Sequence, residues 1–264
     1  MPRELPEKRR ADILRLVQAD GSASVVELSR RLGVSLSTVR RDLDHLTELG
    51  HLARSHGGAM VSSIGRSTFE PRREIVASTA SAEKAAIGRF ASGFVSDGQC
   101  VAFDSGSTVA EVARAVAERK LSITAVTNDL RIAMIFAMVE HVNLVVLGGT
   151  LRPMQYTLLG EPGISFLAGL HVDVAFIGVH SMHRAMLTET SIEVADMKVH
   201  MLKAARTPVL VADSTKFEAH AFREVAALQD FKHLVTDDRI SGANLDLLRK
   251  SEVEVHLAAV GGTA

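Results

Sequence analysis

The chain has one cysteine, Cys100, in 264 residues. It can form no intramolecular disulfide and no cysteine-based zinc site, and in a strand pattern Cys100 reads as an inert core residue. No apolar run reaches the length of a membrane-spanning helix. The first ten residues, MPRELPEKRR, lack the apolar stretch of a secretory signal. Together these absences favour the cytoplasm, and no membrane partner is expected. A phosphate-binding GxxxxGK[ST] loop is missing, and so is a GxGxxG dinucleotide fingerprint. No HExxH metal spacing occurs. No nucleotide, metal or other cofactor is therefore expected. Internal repeats and low-complexity tracts are absent too.

Net charge is also scarce, at −1. The balance is uneven along the chain: residues 1–60 carry 10 Lys+Arg against 8 Asp+Glu, and the remainder carries 20 against 23. The first segment is mildly basic, so any affinity for nucleic acid must come from placement and from pairing of copies, not from bulk charge.

What is present begins at Ser24–Gly50, SVVELSRRLGVSLSTVRRDLDHLTELG. Ser24 and Glu27 have capping-box spacing. Val25, Leu28 and Leu32 form a helical stripe, and Gly33 supplies the positive φ that ends the helix. Val34 can plug the corner. Either Ser35 or Ser37 can cap the next helix, whose apolar face is Val39, Leu43, Leu46 and Leu49, with Gly50 as its stop. Ser37, Thr38, Arg40 and Arg41 lie near the start of this helix and mostly off that face. A helix-turn-helix that lays the N-terminal half of its second helix in the DNA major groove needs this arrangement. Arginine pairs at Arg9-Arg10, Arg30-Arg31 and Arg40-Arg41 favour DNA over a plain αα-hairpin. The segment HLARSHGGAM then reads as a β-hairpin wing with Gly57-Gly58 at its tip. Arg54 and His56 flank the tip, placed to touch phosphates. The candidate DNA contacts are Ser24, Ser35, Ser37, Thr38, Arg40, Arg41, Arg54 and His56; Arg40 and Arg41 could each reach guanine or only phosphate.

The organisation expected is a first helix over 6–19 with Ile13, Leu14 and Val17 inward, a winged helix-turn-helix over 1–61, a linker over 62–78, and an effector-binding and oligomerisation domain over 79–264. In the last part apolar runs alternate with helical segments. Strands are expected at 99–103, 122–126, 142–147, 172–177, 208–212, 232–236 and 253–258. Helices are expected at 82–94, 107–119, 129–140, 192–206 and 242–250. That alternation predicts an α/β, Rossmann-like domain with a mostly parallel sheet covered on both faces. In the helix after Asn128, Phe136, Met134 and Met138 read as core or subunit contact.

Ligands of such sheets sit at the carboxyl ends of the strands, and there the chain is unusual. Asp104-Ser105-Gly106-Ser107-Thr108 runs directly into a helix. Free N–H groups, a glycine and hydroxyls at a helix start form an anion cradle. Asp104 would repel a phosphate and suits sugar hydroxyls or the loop's own N–H groups. Other strand ends carry Thr127-Asn128, Gly148-Gly149 with Arg152, Gly178 with His180, and Asp213-Ser214-Thr215-Lys216. Five such ends on one rim suggest a pocket for a small polyhydroxylated anion. Ser105 to Thr108 would hold its phosphate, and Asn128, Gly149, Arg152 and Lys216 the remainder.

These motifs carry a resemblance. Ser35-x-x-Thr38-Val39-Arg40-Arg41-Asp42-Leu43 and His56-Gly57-Gly58-Ala59 look like the DNA-binding region of DeoR-type bacterial regulators. Asp104–Thr108, Thr127-Asn128, Gly148–Arg152, Asp173-x-x-Phe176-Ile177-Gly178 and Asp213–Lys216 resemble that family's effector domain, in the family's order and over nearly the whole chain. Two departures stand out. Met186-Leu187-Thr188, then Glu193 and Lys198, stand where the family usually reads Gly-Leu-Thr before a Glu-x-x-x-Lys helix. His180 stands where Asn or Asp is usual. The resemblance implies a homo-oligomeric repressor, dimer or tetramer, that binds a double-stranded DNA operator. It implies a phosphorylated sugar or related metabolite as effector, and a C-terminal fold shared with sugar-phosphate isomerases.

Two other functions compete. Isomerases of that fold use an Asp-Gly-Ala-Asp-Glu strand end to move protons. Here the stretch reads Ile177-Gly178-Val179-His180-Ser181 without its acids, leaving Asp104, Glu193 and Lys216 as acid–base groups. A metal-responsive regulator would draw on His171, His180, His183, Glu193, Asp196 and His200, of which Asp196 and His200 lie four apart on one helix face.

Overall fold

The computed structural model describes residues 6–20, 22–48, 51–55, 57–61, 79–217 and 220–261. His56, Leu49, Gly50 and the expected linker 62–78 lie outside the described residues. The chain forms two compact units, residues 1–79 and 80–264.

In the first unit the elements are α1 (Pro6–Asp20), β1 (Ser22–Ser24), α2 (Val25–Leu32), α3 (Leu36–Glu48), β2 (Leu52–Ser55) and β3 (Gly58–Val61). Its core is Ile13, Leu14 and Val17 from α1, Leu28 from α2, Val39, Leu43 and Leu46 from α3, and Leu52 from β2. The Ser24 hydroxyl accepts from the Glu27 N–H at 3.1 Å. The carboxylate of Glu27 pairs with Arg31 at 2.7 Å, one turn along α2. Gly33 ends α2 at φ 64°, and Val34 packs half-buried against the core. Between the two candidate caps of α3 the structure selects Ser35, whose Oγ accepts from the Thr38 N–H at 3.2 Å.

The wing has three strands, not two, in the order β1-β3-β2, all antiparallel. Ser22–Ser24 carries too little apolar pattern to read as a strand; it is recruited by the hairpin edge. At the tip, the Val25 N–H donates to the Gly57 carbonyl at 2.9 Å. A Cβ on Gly58 would lie 2.2 Å from the Ala23 carbonyl oxygen, so only glycine lets β1 approach here.

The second unit is a doubly wound α/β domain. Its helices are α4 (Ser81–Ser92), α5 (Ser107–Glu118), α6 (Leu130–Phe136), α7 (Gly163–Ala168), α8 (Ile192–Ala204) and α9 (Gly242–Arg249). The main sheet has seven strands: β4 (Cys100–Phe103), β5 (Ile123–Thr127), β6 (Val142–Val146), β9 (Val172–Ile177), β12 (Ala205–Val211), β14 (His233–Asp237) and β15 (Glu254–Ala258). Their order is β15-β14-β12-β9-β4-β5-β6, and every pair is parallel. Alternate residues enter different cores. Val101, Phe103, Val174, Phe176, Val209 and Val211 pack with Ile87 of α4, Val109 and Val112 of α5 and Phe136 of α6. Ala102, Ala175, Ile177 and Leu210 pack on the other face with Leu167 of α7, Met197 and Met201 of α8 and Leu248 of α9. Burial of both faces is why these strands read as continuous apolar runs.

Four pieces depart from the sequence expectation. β7 (Thr150–Leu151) and β8 (Leu158–Leu159) pair as a short hairpin, followed by α7. β10 (Ser181–His183), β11 (Met186–Glu189) and β13 (Arg223–Ala227) form a separate antiparallel sheet. The helix expected over 129–140 ends at Phe136. Within it Phe136 is core, whereas Met134 and Met138 are exposed. The α4–α5 contact depends on Gly88, where a Cβ would meet the Glu111 backbone carbon at 2.6 Å.

Candidate functional site

Ser37, Arg40 and Arg41 are exposed on the first turns of α3, beside half-buried Thr38. Ser35 Oγ lies 2.9 Å from Ser37 Oγ and 2.8 Å from Thr38 Oγ1, so the three hydroxyls form one polar patch at the start of the helix. Ser24 is exposed and caps α2. Arg54 on β2 pairs with Asp44 of α3 at 3.3 Å, joining wing to helix while leaving the guanidinium at the surface. One arginine pair has a different job from the one expected. Arg9 and Arg10 of α1 grip the buried Asp42 of α3 at 2.6 and 3.0 Å. They orient α3 and are not part of the exposed basic face.

In the second unit, strand order locates the site. β4 leads through α5 to β5 on one side, and its neighbour β9 leads through α8 to β12 on the other. Connections that leave two adjacent strands in opposite directions open a crevice at their carboxyl ends. Ser105 and Ser107 are half-buried there, Gly106 is exposed and Thr108 is buried. Gly106 caps α5 at φ 119°, a conformation favouring glycine, and no side chain caps the helix. The first-turn N–H groups of α5 therefore remain donors for an anion.

The floor of the crevice is charged. Asp104 is buried and pairs with Lys198 of α8. Its Oδ2 also accepts from the Gly178 N–H at 3.1 Å. Lys198 Nζ donates to the Gly178 carbonyl at 2.9 Å and lies 3.3 Å from Glu189 Oε1. Glu189 in turn accepts from the His180 N–H at 3.1 Å. Burial pushes the Asp104 carboxyl up against the pull of Lys198. Burial also opposes the charge on Lys198, but Asp104 and Glu189 outweigh it and its pKa is raised. Of the partners expected for Asp104, sugar hydroxyls or the loop's own N–H groups, the structure shows a backbone hydrogen bond from Ser105, with the carboxylate turned inward as a strut between β4, β9 and α8. Thr127 is likewise an internal strut, buried, donating to the Phe103 carbonyl at 2.8 Å and accepting from the Asp129 N–H at 3.1 Å.

The remaining candidates line neighbouring strand ends. Asn128 is buried and donates from Nδ2 to the Leu158 carbonyl at 3.0 Å. Its Oδ1 has no hydrogen-bond partner among the described residues. Gly148 packs on Pro162, and a Cβ on Gly149 would lie 2.5 Å from the Leu159 carbonyl oxygen, so the pair shapes the β7–β8 hairpin. Arg152 is half-buried within electrostatic reach of Glu193. Lys216 sits in a 3-10 turn, Ser214–Lys216, capped by Asp213.

Three residues of this rim escaped the sequence reading: Lys84, Glu189 and Lys198 as a floor group. Lys84 of α4 is buried 3.9 Å from Asp213, and burial, with Lys216 adding to it, lowers its pKa to about 8. Lys84 and Lys198 each stand on amphipathic helices as ordinary polar positions. Only a lysine that the helical period places on the buried face would have flagged them.

A unit with an exposed polar-basic helix start beside a wing, and a unit with an anion-competent crevice, make a DNA-binding regulator with a small-molecule sensor. Residues 9–64 match the DeoR-like helix-turn-helix domain and residues 79–238 the DeoR C terminal sensor domain. The chain belongs to the DeoR family of transcriptional regulators. It is 35% identical over 254 residues to the HTH-type transcriptional regulator GlpR of Haloferax volcanii, covering 95% of this chain and 97% of that one. It is 31% identical over 233 residues to the glycerol-3-phosphate regulon repressor of Haemophilus influenzae, covering 87% and 89%. Among solved structures, ribose 5-phosphate isomerase A of Methanocaldococcus jannaschii aligns at a TM-score of 0.40 and 19% identity, covering 53% of this chain and 55% of that one. No helix among the described residues is long and apolar enough to cross a membrane.

Proposed function

We propose that the chain is a cytoplasmic, homo-oligomeric repressor of carbohydrate-metabolism genes, released from its operator when a phosphorylated sugar or related metabolite fills the β4–β9 crevice. The observation that carries this reading is the α5 N-terminus, uncapped by any side chain and opened by Gly106 at the switch point of the sheet. The phosphate sits on Ser105, Gly106, Ser107 and Thr108. Asn128, Gly149, Arg152, His180 and Lys216 surround the remainder. The floor carries two carboxylates on one ammonium, so compensation of the phosphate charge falls to the helix start and to Arg152 and Lys216. The relatives' names, among them a glycerol-3-phosphate regulon repressor, support a carbohydrate role.

The crevice is a sensor and not a catalytic site. Proton transfer next to a carbonyl needs a positioned acid–base group; in the crevice Asp104 and Glu189 are both held by Lys198, and Glu193 is exposed on α8 and accepts from the Ser191 hydroxyl.

Calorimetry and operator-shift assays with matched sugar phosphates and free sugars test the proposal. At least one sugar phosphate is expected to bind and to displace the protein from DNA, with its unphosphorylated sugar inactive at the same concentration. Equal binding of both forms would remove the phosphate cradle.

A further inference from the structure

The amino end of the main sheet, opposite the crevice, holds a second cluster. β14 starts at His233 and β15, the edge strand, at Glu254. The parallel register sets His233 opposite Glu254 and Val235 opposite His256. Because side chains alternate along a strand, Glu254 and His256 fall on one face. His233 Nδ1 lies 3.1 Å from Glu254 Oε2 and 3.2 Å from His256 Nε2. His256 Nε2 is 3.8 Å from Glu254 Oε1.

We propose that His233, Glu254 and His256 form a binding site for a divalent transition-metal ion of the zinc type, with a fourth position open to water. A tetrahedral zinc ion with ligands at about 2.0–2.1 Å holds its ligand atoms about 3.3 Å apart. The His233 Nδ1 separations from His256 Nε2 (3.2 Å) and from Glu254 Oε2 (3.1 Å) are close to that edge length, and with one oxygen of Glu254 counted all three ligand atoms lie within 4.8 Å of one another, so a small rotation of the exposed Glu254 side chain completes the triangle. Two imidazoles and one carboxylate suit zinc and its neighbours, whereas calcium and magnesium prefer oxygen-only shells.

The rings are held in place from the end of α4 and the turn that follows it. Phe94 stacks on His233 with centroids 4.6 Å apart, and Phe90 and Phe94 each lie 5.3 Å from His256. Glu254 is 66% exposed, against 19% and 18% for the histidine side chains, which leaves an approach from solvent. Among the described residues this is the one group of three or more potential ligands that converge; His171, His180, His183 and His200 do not gather with it. The ion would clip the edge strand β15 to β14.

The test uses the full-length chain made without a polyhistidine tag, stripped with chelator and titrated with Zn²⁺ by calorimetry, with Co²⁺ as a spectroscopic probe. One ion per chain is expected, with tetrahedral Co²⁺ absorption and a zinc-dependent rise in melting temperature. Glu254→Gln, at an exposed side chain, should weaken binding about tenfold or more, and His256→Asn should abolish it. The double variant His183→Asn, His200→Asn should bind as the parent does. No saturable binding by the parent, or unchanged binding in Glu254→Gln and His256→Asn, would overturn the proposal.

Discussion

At the scale of single residues, buried charges set the most testable energetics. Asp42 is buried and its two oxygens are shared between Arg9 and Arg10. Removing one partner of such a group leaves uncompensated charge, at a cost of about 3 kcal/mol. Asp42→Ala should lower the urea midpoint of the first unit and misplace α3, and circular dichroism with operator-binding assays would read both. Lys84 makes a prediction in pH. Its native pKa is lowered to about 8 from 10.5. Below pH 8 both states carry the proton and the native state bears the burial penalty. Between about 8 and 10.5 the native lysine releases its proton while the unfolded one keeps it. Stability therefore rises with pH in that window, by about 3 kcal/mol for this group. The stability difference between the parent and Lys84→Met, measured by denaturation from pH 7 to 10.5, should shift by that amount in favour of the parent.

At the scale of elements, α3 and α5 use their N-terminal turns in opposite ways. α3 is closed by the Ser35 cap, so the proposed DNA contacts fall to its side chains, Arg40 and Arg41 among them. α5 has no side-chain cap, which leaves its N–H groups for a ligand. Replacing both Arg40 and Arg41 with Ala should lower operator affinity by at least a hundredfold at physiological salt, with effector binding by calorimetry unchanged. Unchanged operator affinity would remove these arginines from the interface. Much at this scale was legible in the sequence, because caps and periodicity are local. Ser24, Gly33, the α3 stripe and the seven parallel strands follow from spacing alone. The β10-β11-β13 sheet was not legible. Its strands are short, and β11 pairs with β13 across more than 30 residues, so the pattern that defines it is not contiguous.

At the scale of the whole molecule, the first 60 residues carry a surplus of only two positive charges, and counterion release from one copy is small. On the proposed function, strong operator binding would require two copies, and the effector would act by favouring a subunit arrangement that fits the operator badly. Linkage makes this reciprocal: saturating operator DNA should weaken effector affinity by the same factor by which the effector weakens DNA binding. Calorimetry of the effector with and without operator checks it, and an effector affinity unchanged by saturating operator would mean that the two sites are uncoupled. The sequence by itself determined the family, the helix-turn-helix and the polar strand ends, because each is written in contiguous residues. Only the tertiary structure decided which charged groups meet. Asp104 finds Lys198 across 94 residues, Lys84 finds Asp213, and His233 finds Glu254 and His256. Those meetings depend on strand order and parallel register, which arise when the whole sheet assembles and leave no mark at any one stretch of the chain.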